Sequence, residues 1–309
     1  MLIGVLGINF KTADLQVREA VARAALTLSG ERAIFFPHPI VVLSTCNRTE
    51  IYFSGEDLAR VHSDLLAHLR AQIGEPFEHR LYSYFGIDCF AHLCSVTAGL
   101  DSAMIAETEI QRQVKMAYTA ARHLPSCLHY AFQKALKVGK CVRNQLDPRG
   151  LPTLYGMLWR LAEWQQKRIL LVGYSEINRG FISFLMHKGV RDISLCTRSA
   201  PQLEGIRICG RSELDYWQNY DVIVCASTAN GYLITGQSDR SHTIFDLSVP
   251  RNVDPAVGAK LYNIDQLTLP KEAPECGKAL VWEEVVKLTR LYRLKTQHVL
   301  ESVGMGSHL

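Results

Sequence analysis

The stretch Arg168-Ile169-Leu170-Leu171-Val172-Gly173-Tyr174-Ser175-Glu176-Ile177-Asn178 decides the architecture of the second half of the chain. Four consecutive apolar residues run into a glycine and a polar turn, the pattern of a strand buried on both faces that hands over to a helix. That helix is expected to reach about Lys188. The strand Ile193-Ser194-Leu195-Cys196 follows, and further strands are predicted at Val222 to Ala226 and Thr243 to Leu247. Strands alternating with helices predict a parallel sheet of Rossmann type. Its first turn would receive a dinucleotide pyrophosphate, for which Gly-x-Gly-x-x-Gly provides a tight turn, close backbone approach and close helix packing. Only the first glycine is kept. Ser175 places a Cβ where phosphates approach, although its hydroxyl can donate to them, and Asn178 looks bulky for close helix-to-strand packing. The next strand ends in Thr197-Arg198-Ser199, where an NAD site would place an acid for the ribose hydroxyl; Arg198 suits a 2′-phosphate, so a bound nicotinamide cofactor is expected to be NADPH.

The first half centres on Ile40-Val41-Val42-Leu43-Ser44-Thr45-Cys46-Asn47-Arg48-Thr49-Glu50-Ile51-Tyr52-Phe53, two strand-like runs with a cysteine in the turn between them. A lone cysteine is ordinarily a small buried hydrophobe, but three polar neighbours argue against a core position. The Arg48 guanidinium and the N–H groups of a turn favour a thiolate, which makes Cys46 a candidate nucleophile. A strand at Leu2 to Ile8 and helices at Ala13 to Leu28 and about Glu56 to Ile73 complete an α/β or α+β domain. The segment Asp88 to Leu146 reads as nearly all helical, with breaks at Gly99 and Pro125. His92 on that segment is a candidate acid or base for the thiol, against the plainer reading of a surface or core histidine. Cys89, His92 and Cys94 have no fourth ligand at a recognisable spacing, so no metal is predicted. Glu107, Glu109 and Gln113 share one helical face, suited to a polar substrate or simply solvated. The chain is expected to divide into a catalytic domain at 1–147, a linker helix at 148–167, a nucleotide domain at 168–270 and a C-terminal helical segment at 271–309.

With 309 residues, 48% of them apolar and 21% charged, the chain has the composition of a folded globular protein rather than a disordered one. Nine cysteines without a Cys-x-x-Cys pair fit free thiols in a reducing compartment. The start lacks a basic leader and no later segment is long and apolar enough to span a bilayer, which predicts a cytoplasmic protein. The net charge of +4 is unevenly placed: Arg112, Lys115, Arg122, Lys134, Lys137, Lys140, Arg143 and Arg149 face only Asp147 over that interval, a segment able to track a phosphate backbone or to form a solvated face.

Taken together, Gly4 to Ala13, Leu43 to Tyr52, His92 to Ser102, Glu107 to Tyr118 and Phe245-Asp246-Leu247-Ser248-Val249-Pro250-Arg251-Asn252-Val253-Asp254-Pro255 resemble the glutamyl-tRNA reductase family. The resemblance implies NADPH-dependent reduction of glutamyl-tRNA(Glu) to glutamate-1-semialdehyde, the first step of tetrapyrrole synthesis. It implies Cys46 as nucleophile and His92 as its aid, with Thr45, Asn47, Arg48, Ser102, Glu107, Thr108, Glu109 and Gln113 around the glutamyl group. Gly173, Tyr174, Ser175, Glu176, Ile177 and Asn178 would form the phosphate turn, with Thr197 and Arg198 beside it. Arg48 offers a fork for the glutamyl carboxylate. Glutamate-1-semialdehyde aminomutase is an implied partner for the labile product. The family's C-terminal dimerisation region is reduced to about one helix after Pro270, which leaves a homodimer open. Two other readings stand beside this one: a non-catalytic tRNA- or partner-binding relative whose altered turn has lost NADPH, and an NADP dehydrogenase for a small metabolite, which gives no reason for the Cys46 turn.

Overall fold

A computed structural model of the chain describes residues 1–29, 36–102, 109–145, 153–199, 201–238, 240–267 and 275–304. In chain order the elements are β1 (Ile3–Asn9), α1 (Leu15–Leu26), β2 (Ile40–Ser44), β3 (Arg48–Ser54), α2 (Leu58–Arg70), β4 (Tyr82–Phe85), α3 (Gly86–Ala98), α4 (Glu109–Ala120), α5 (Ser126–Gln145), α6 (Leu154–Leu161), β5 (Ile169–Val172), α7 (Glu176–His187), β6 (Ile193–Cys196), β7 (Arg207–Cys209), β8 (Val222–Cys225), β9 (Thr243–Asp246), β10 (Lys260–Asn263) and α8 (Glu275–Gly304). They form two compact units, Met1–Arg149 with Pro270–Leu309, and Gly150–Leu269.

The first unit is built on an antiparallel sheet of order β2-β3-β1-β4. Period-2 alternation divides its side chains between two cores. Leu6, Ile8, Ile51 and Phe53 pack against α1 and α2, while Ile3, Val5, Val41, Leu43 and Tyr52 pack against α3, α4 and α5. Asp14 and Asp57 cap α1 and α2, each accepting backbone N–H bonds through its carboxylate, which explains where these helices begin. The last helix, α8, packs on α3 and α5; Val281 and Val285 are buried in that core, and the Tyr130 hydroxyl donates to the Leu288 carbonyl at 2.8 Å. Residues 275–304 therefore fold onto the first unit.

The second unit holds a parallel six-stranded sheet of order β10-β9-β8-β5-β6-β7. The strands Ile169–Val172, Ile193–Cys196 and Val222–Cys225 are buried throughout, as their unbroken apolar runs require. Within the expected linker helix at 148–167, α6 spans only Leu154–Leu161 among the described residues. α6 stops at Leu161 because Trp164 turns inward, its indole N–H donating to the Leu158 carbonyl at 3.2 Å and its ring stacking on Phe245 at 5.8 Å. The short strands β4, β7 and β10 were not expected; each is identified by its pairing partner rather than by its own composition.

Candidate active site

Cys46 and Asn47 form the apex of the β2–β3 hairpin, and the Thr45 side chain closes it. The Thr45 N–H donates to the Arg48 carbonyl at 2.8 Å, and its hydroxyl oxygen accepts from the N–H groups of Asn47 and Arg48, each at 3.2 Å. Arg18, buried on α1, donates to the Cys46 carbonyl at 2.9 Å, and the Phe10 N–H donates to the Asn47 carbonyl at 3.0 Å. The backbone that presents Cys46 is thus fixed from three directions while its side chain remains partly exposed. Burial pushes the thiols of Cys89, Cys94, Cys196 and Cys225 up, which keeps them protonated. Cys89 and Cys94 lie in the hydrophobic core. The Asn47 side chain is 8% exposed and its Oδ1 has no hydrogen-bond partner among the described residues.

Beyond the turn, β3 carries charges on its core-facing side. Arg48 is 2% exposed and Glu50 fully buried, with Arg48 Nη1 at 2.7 Å from Glu50 Oε1. Glu50 also accepts from the hydroxyls of Tyr52 and Tyr82, each at 2.6 Å, and from His92 Nε2 at 2.8 Å. Burial alone would raise the Glu50 carboxyl; the charges of His92 and Arg48 and the bonds from His92 and Tyr52 hold it well below the usual carboxylate range. An ionised Glu50 accepts only, so His92 Nε2 carries a proton in this contact. Burial and the adjoining carboxylate push both tyrosine hydroxyls up, keeping them donors.

The network continues to Asp101, which follows α3. Arg48 Nη1 meets Asp101 Oδ2 at 3.0 Å, Arg48 Nη2 donates to the Asp101 carbonyl, and Lys11 Nζ pairs with Asp101 Oδ1. Burial opposes ionisation of Asp101, but Arg48 and Lys11 outweigh it and lower its pKa.

Sequence reasoning found Arg48 and His92 but missed the groups that join them: Glu50, Tyr82, Asp101 and Lys11. Two signals were present. Glu50 directly precedes the apolar run Ile51-Tyr52-Phe53 in a strand buried throughout, and Gly7 sits mid-strand in β1, paired with Glu50 on one side and Tyr82 on the other. A Cβ at Gly7 would lie 2.7 Å from the Tyr82 ring, so its absence lets Tyr82 cross β1 to reach Glu50.

The remaining expected substrate residues are dispersed. Ser102 is buried beside Asp101. Glu109 pairs with Arg112 on α4 at 2.5 Å, and Gln113 lies one turn further along the same helix. Glu107 and Thr108 lie outside the described residues, as do Arg149 and the linker residues 148–152. Arg143 leaves the basic surface set, since its half-buried guanidinium donates to the Thr97 carbonyl and to Gln111 Oε1. Lys115, Arg122, Lys137 and Lys140 are exposed.

In the second unit, Gly173, Tyr174 and Ser175 line a cavity of about 580 Å³ with Thr197, Arg198, Ser199, Arg211 and Ser227. The cavity opens at the carboxyl ends of the strands, where such sheets bind ligands. Gly173 has φ +93° and a Cβ there would lie 2.6 Å from the Ala226 carbonyl oxygen. Ser175 caps α7, its Oγ accepting the Asn178 N–H at 3.3 Å. Asn178 does not obstruct the packing expected of a third glycine. It is fully buried, and its amide donates to the carbonyls of Val172 at 3.0 Å and Gly173 at 2.8 Å, pinning the turn through its side chain. Glu176, which pairs with Arg179, and Ile177 open α7 with Asn178; these three do not line the cavity.

Residues 6–146 match the family of the glutamyl-tRNAGlu reductase N-terminal domain, and residues 158–269 that of shikimate / quinate 5-dehydrogenase. Glutamyl-tRNA reductase from Chlamydia caviae is 36% identical over 81% of this chain and 78% of the relative, and that from Chlamydia pneumoniae is 32% identical over 97% and 96%. The chain belongs to the glutamyl-tRNA reductase family. A solved structure, glutamyl-tRNA reductase from Methanopyrus kandleri, matches with a TM-score of 0.52 at 25% identity, covering 99% of this chain and 84% of that one.

The glutamyl-tRNA reductase architecture, an N-terminal α+β domain, a Rossmann-type domain and a C-terminal helix, is the one described above. NADPH is the cofactor of this family, and the second unit fits it through the Gly173 cradle, the capped α7 and the arginine at the end of β6. Among the described residues no helix is long and apolar enough to cross a membrane. Gly173→Ala is expected to weaken NADPH binding at least about tenfold and to destabilise the unit by about 1–3 kcal/mol through left-handed strain and contact with Ala226. Cofactor fluorescence titration and thermal unfolding check this. Unchanged NADPH affinity would place the pyrophosphate elsewhere.

Proposed function

We propose that this chain is a working glutamyl-tRNA reductase in which Cys46 attacks the ester carbonyl of glutamyl-tRNA(Glu). A C–S bond forms, the bond to the tRNA 3′-oxygen breaks, and the glutamyl group is left as a thioester on Cys46. The observation that carries this reading is the Cys46 turn: a partly exposed thiol on a backbone fixed by Thr45, Arg18 and Phe10, beside a strand that opens with the buried Arg48–Glu50 pair. NADPH, when bound, supplies the hydride that converts the thioester to glutamate-1-semialdehyde and frees the thiolate.

His92 protonates the departing ribose oxygen. Because Nε2 is held by Glu50, Nδ1 is the ring nitrogen that exchanges the proton, and Glu50 stabilises the charged ring. Of the residues expected around the glutamyl group, Thr45, Asn47, Arg48 and Ser102, on the Cys46 turn and next to Asp101, take that role. The Arg48 fork is held by Glu50 and Asp101, so a substrate carboxylate reaches it by replacing Asp101. Lys115, Arg122, Lys137 and Lys140 track the tRNA backbone. The reaction is cytoplasmic, and an aminomutase receives the labile aldehyde.

The decisive experiment mixes the protein with tRNA carrying labelled glutamate, without NADPH, and looks for label on Cys46. Its release as aldehyde on adding NADPH is the expected result. Label that never reaches Cys46 would remove the thioester route. For the fork, Arg48→Lys is expected to reduce turnover about tenfold or more, because a point charge does not reproduce two parallel N–H bonds. Unchanged kinetics would remove Arg48 from the substrate site.

A further inference from the structure

We infer that Arg211 is a second specificity residue for the cofactor, forming with Arg198 a two-guanidinium clamp on the 2′-phosphate of NADPH. The inference rests on the cofactor reading above and adds a residue that the β6 motif does not contain. β6 and β7 are parallel neighbours in which Cys196 pairs with Cys209. Arg198 and Arg211 each lie two residues beyond that pair, Arg211 opening the 3-10 helix Arg211–Asn219, so both sit just past the ends of neighbouring strands about 4.8 Å apart. Two further bonds hold the strand ends together at this level: the Thr197 N–H donates to the Cys209 carbonyl at 3.1 Å, and the Cys196 thiol to the Gly210 carbonyl at 3.4 Å.

Both arginines line the same cavity as Gly173, and both are exposed. Neither makes an ion pair among the described residues. The nearest acid in sequence, Glu213, is engaged elsewhere: its carboxylate accepts from Arg207 at 3.1 Å and from the Tyr220 hydroxyl at 2.7 Å. Two uncompensated guanidiniums at one rim repel each other unless an anion lies between them, and a phosphate dianion presents oxygens enough for both forks. The Thr197 and Ser199 hydroxyls, 3.1 Å apart beside Arg198, add donors of the right size for a phosphate oxygen. A ribose 2′-hydroxyl satisfies one such group and leaves the second arginine unused, so the pair favours NADPH over NADH more strongly than Arg198 alone.

The test is calorimetric titration of the full chain with 2′,5′-ADP and with 5′-AMP, for the unaltered protein, Arg211→Gln, Arg211→Lys and Arg198→Gln. The unaltered protein is expected to prefer 2′,5′-ADP. Arg211→Gln should lose about tenfold or more of its affinity for 2′,5′-ADP while 5′-AMP binds as before, and Arg211→Lys should recover part of the loss. Full preference retained by Arg211→Gln, with Arg198→Gln defective, would overturn the inference and leave the cofactor site standing. Equal losses for 2′,5′-ADP and 5′-AMP would overturn it too, by showing a general disturbance of the cavity. Failure of the unaltered protein to bind 2′,5′-ADP at all would overturn the cofactor reading and the inference together.

Discussion

Cys46→Ser is expected to abolish glutamyl-tRNA reduction, lowering the single-turnover rate by about a thousandfold or more, with tRNA binding unchanged. A serine hydroxyl is a far weaker nucleophile at neutral pH, and the ester it would form accepts hydride less readily than a thioester. The Cys46 carbonyl, the Thr45 side chain and the backbones of Asn47 and Arg48, which fix the apex, are all kept in the serine variant. Rapid-quench assays with labelled glutamyl-tRNA, alongside filter binding of uncharged tRNA, separate chemistry from affinity. A serine variant that reduces substrate within about tenfold of the unaltered rate would sink covalent catalysis at this position.

Glu50→Gln is expected to cost about 3 kcal/mol of stability, a large effect for a nearly isosteric change. The amide removes the negative charge that faces Arg48 and His92 in a fully buried site, and Asp101 remains as the only carboxylate partner of Arg48 among the described residues. The pH dependence has a definite sign. The folded pKa of Glu50 lies below its unfolded value, so its contribution is complete above the ordinary carboxylate range, about pH 4.3, and is lost as pH falls toward the depressed folded value. The gap between Glu50→Gln and the unaltered protein should therefore be constant near neutrality and narrow on acidification. Chemical denaturation across pH checks this. Pairing Glu50→Gln with Arg48→Met should cost less than the sum of the two, since removing both charges leaves neither buried alone. Additive losses, or a single variant as stable as the unaltered chain, would show that the network is not electrostatically coupled.

Much of the site was legible because it is local in sequence. The hairpin around Cys46 follows from two β-branched runs separated by polar residues, and the nucleotide turn from an apolar strand that ends in glycine. The network behind Cys46 was not legible, since its members come from β3, β4, α3 and the turns that follow β1 and α3 and meet only in the folded domain. Asn178 was misjudged for a related reason. By size it looked like an obstacle, and only the structure shows its amide satisfying two strand-end carbonyls. The basic segment was overcounted because charge along the sequence does not say which side chains reach solvent, and Arg143 turns inward to Thr97 and Gln111.

By itself, then, the sequence determined what short-range physics controls: the strand and helix periods, the turn chemistry at Cys46 and Gly173, and the family to which these motifs point. The tertiary structure alone decided which polar groups meet. Strand order brings Gly7 between Glu50 and Tyr82, and parallel pairing puts the ends of β6 and β7, with Arg198 and Arg211 just beyond them, side by side. The physical reason is that hydrogen bonds and ion pairs act over a few ångströms, whereas the residues that make them in the Arg48 network are as far apart along the chain as Lys11 and Asp101, 90 positions.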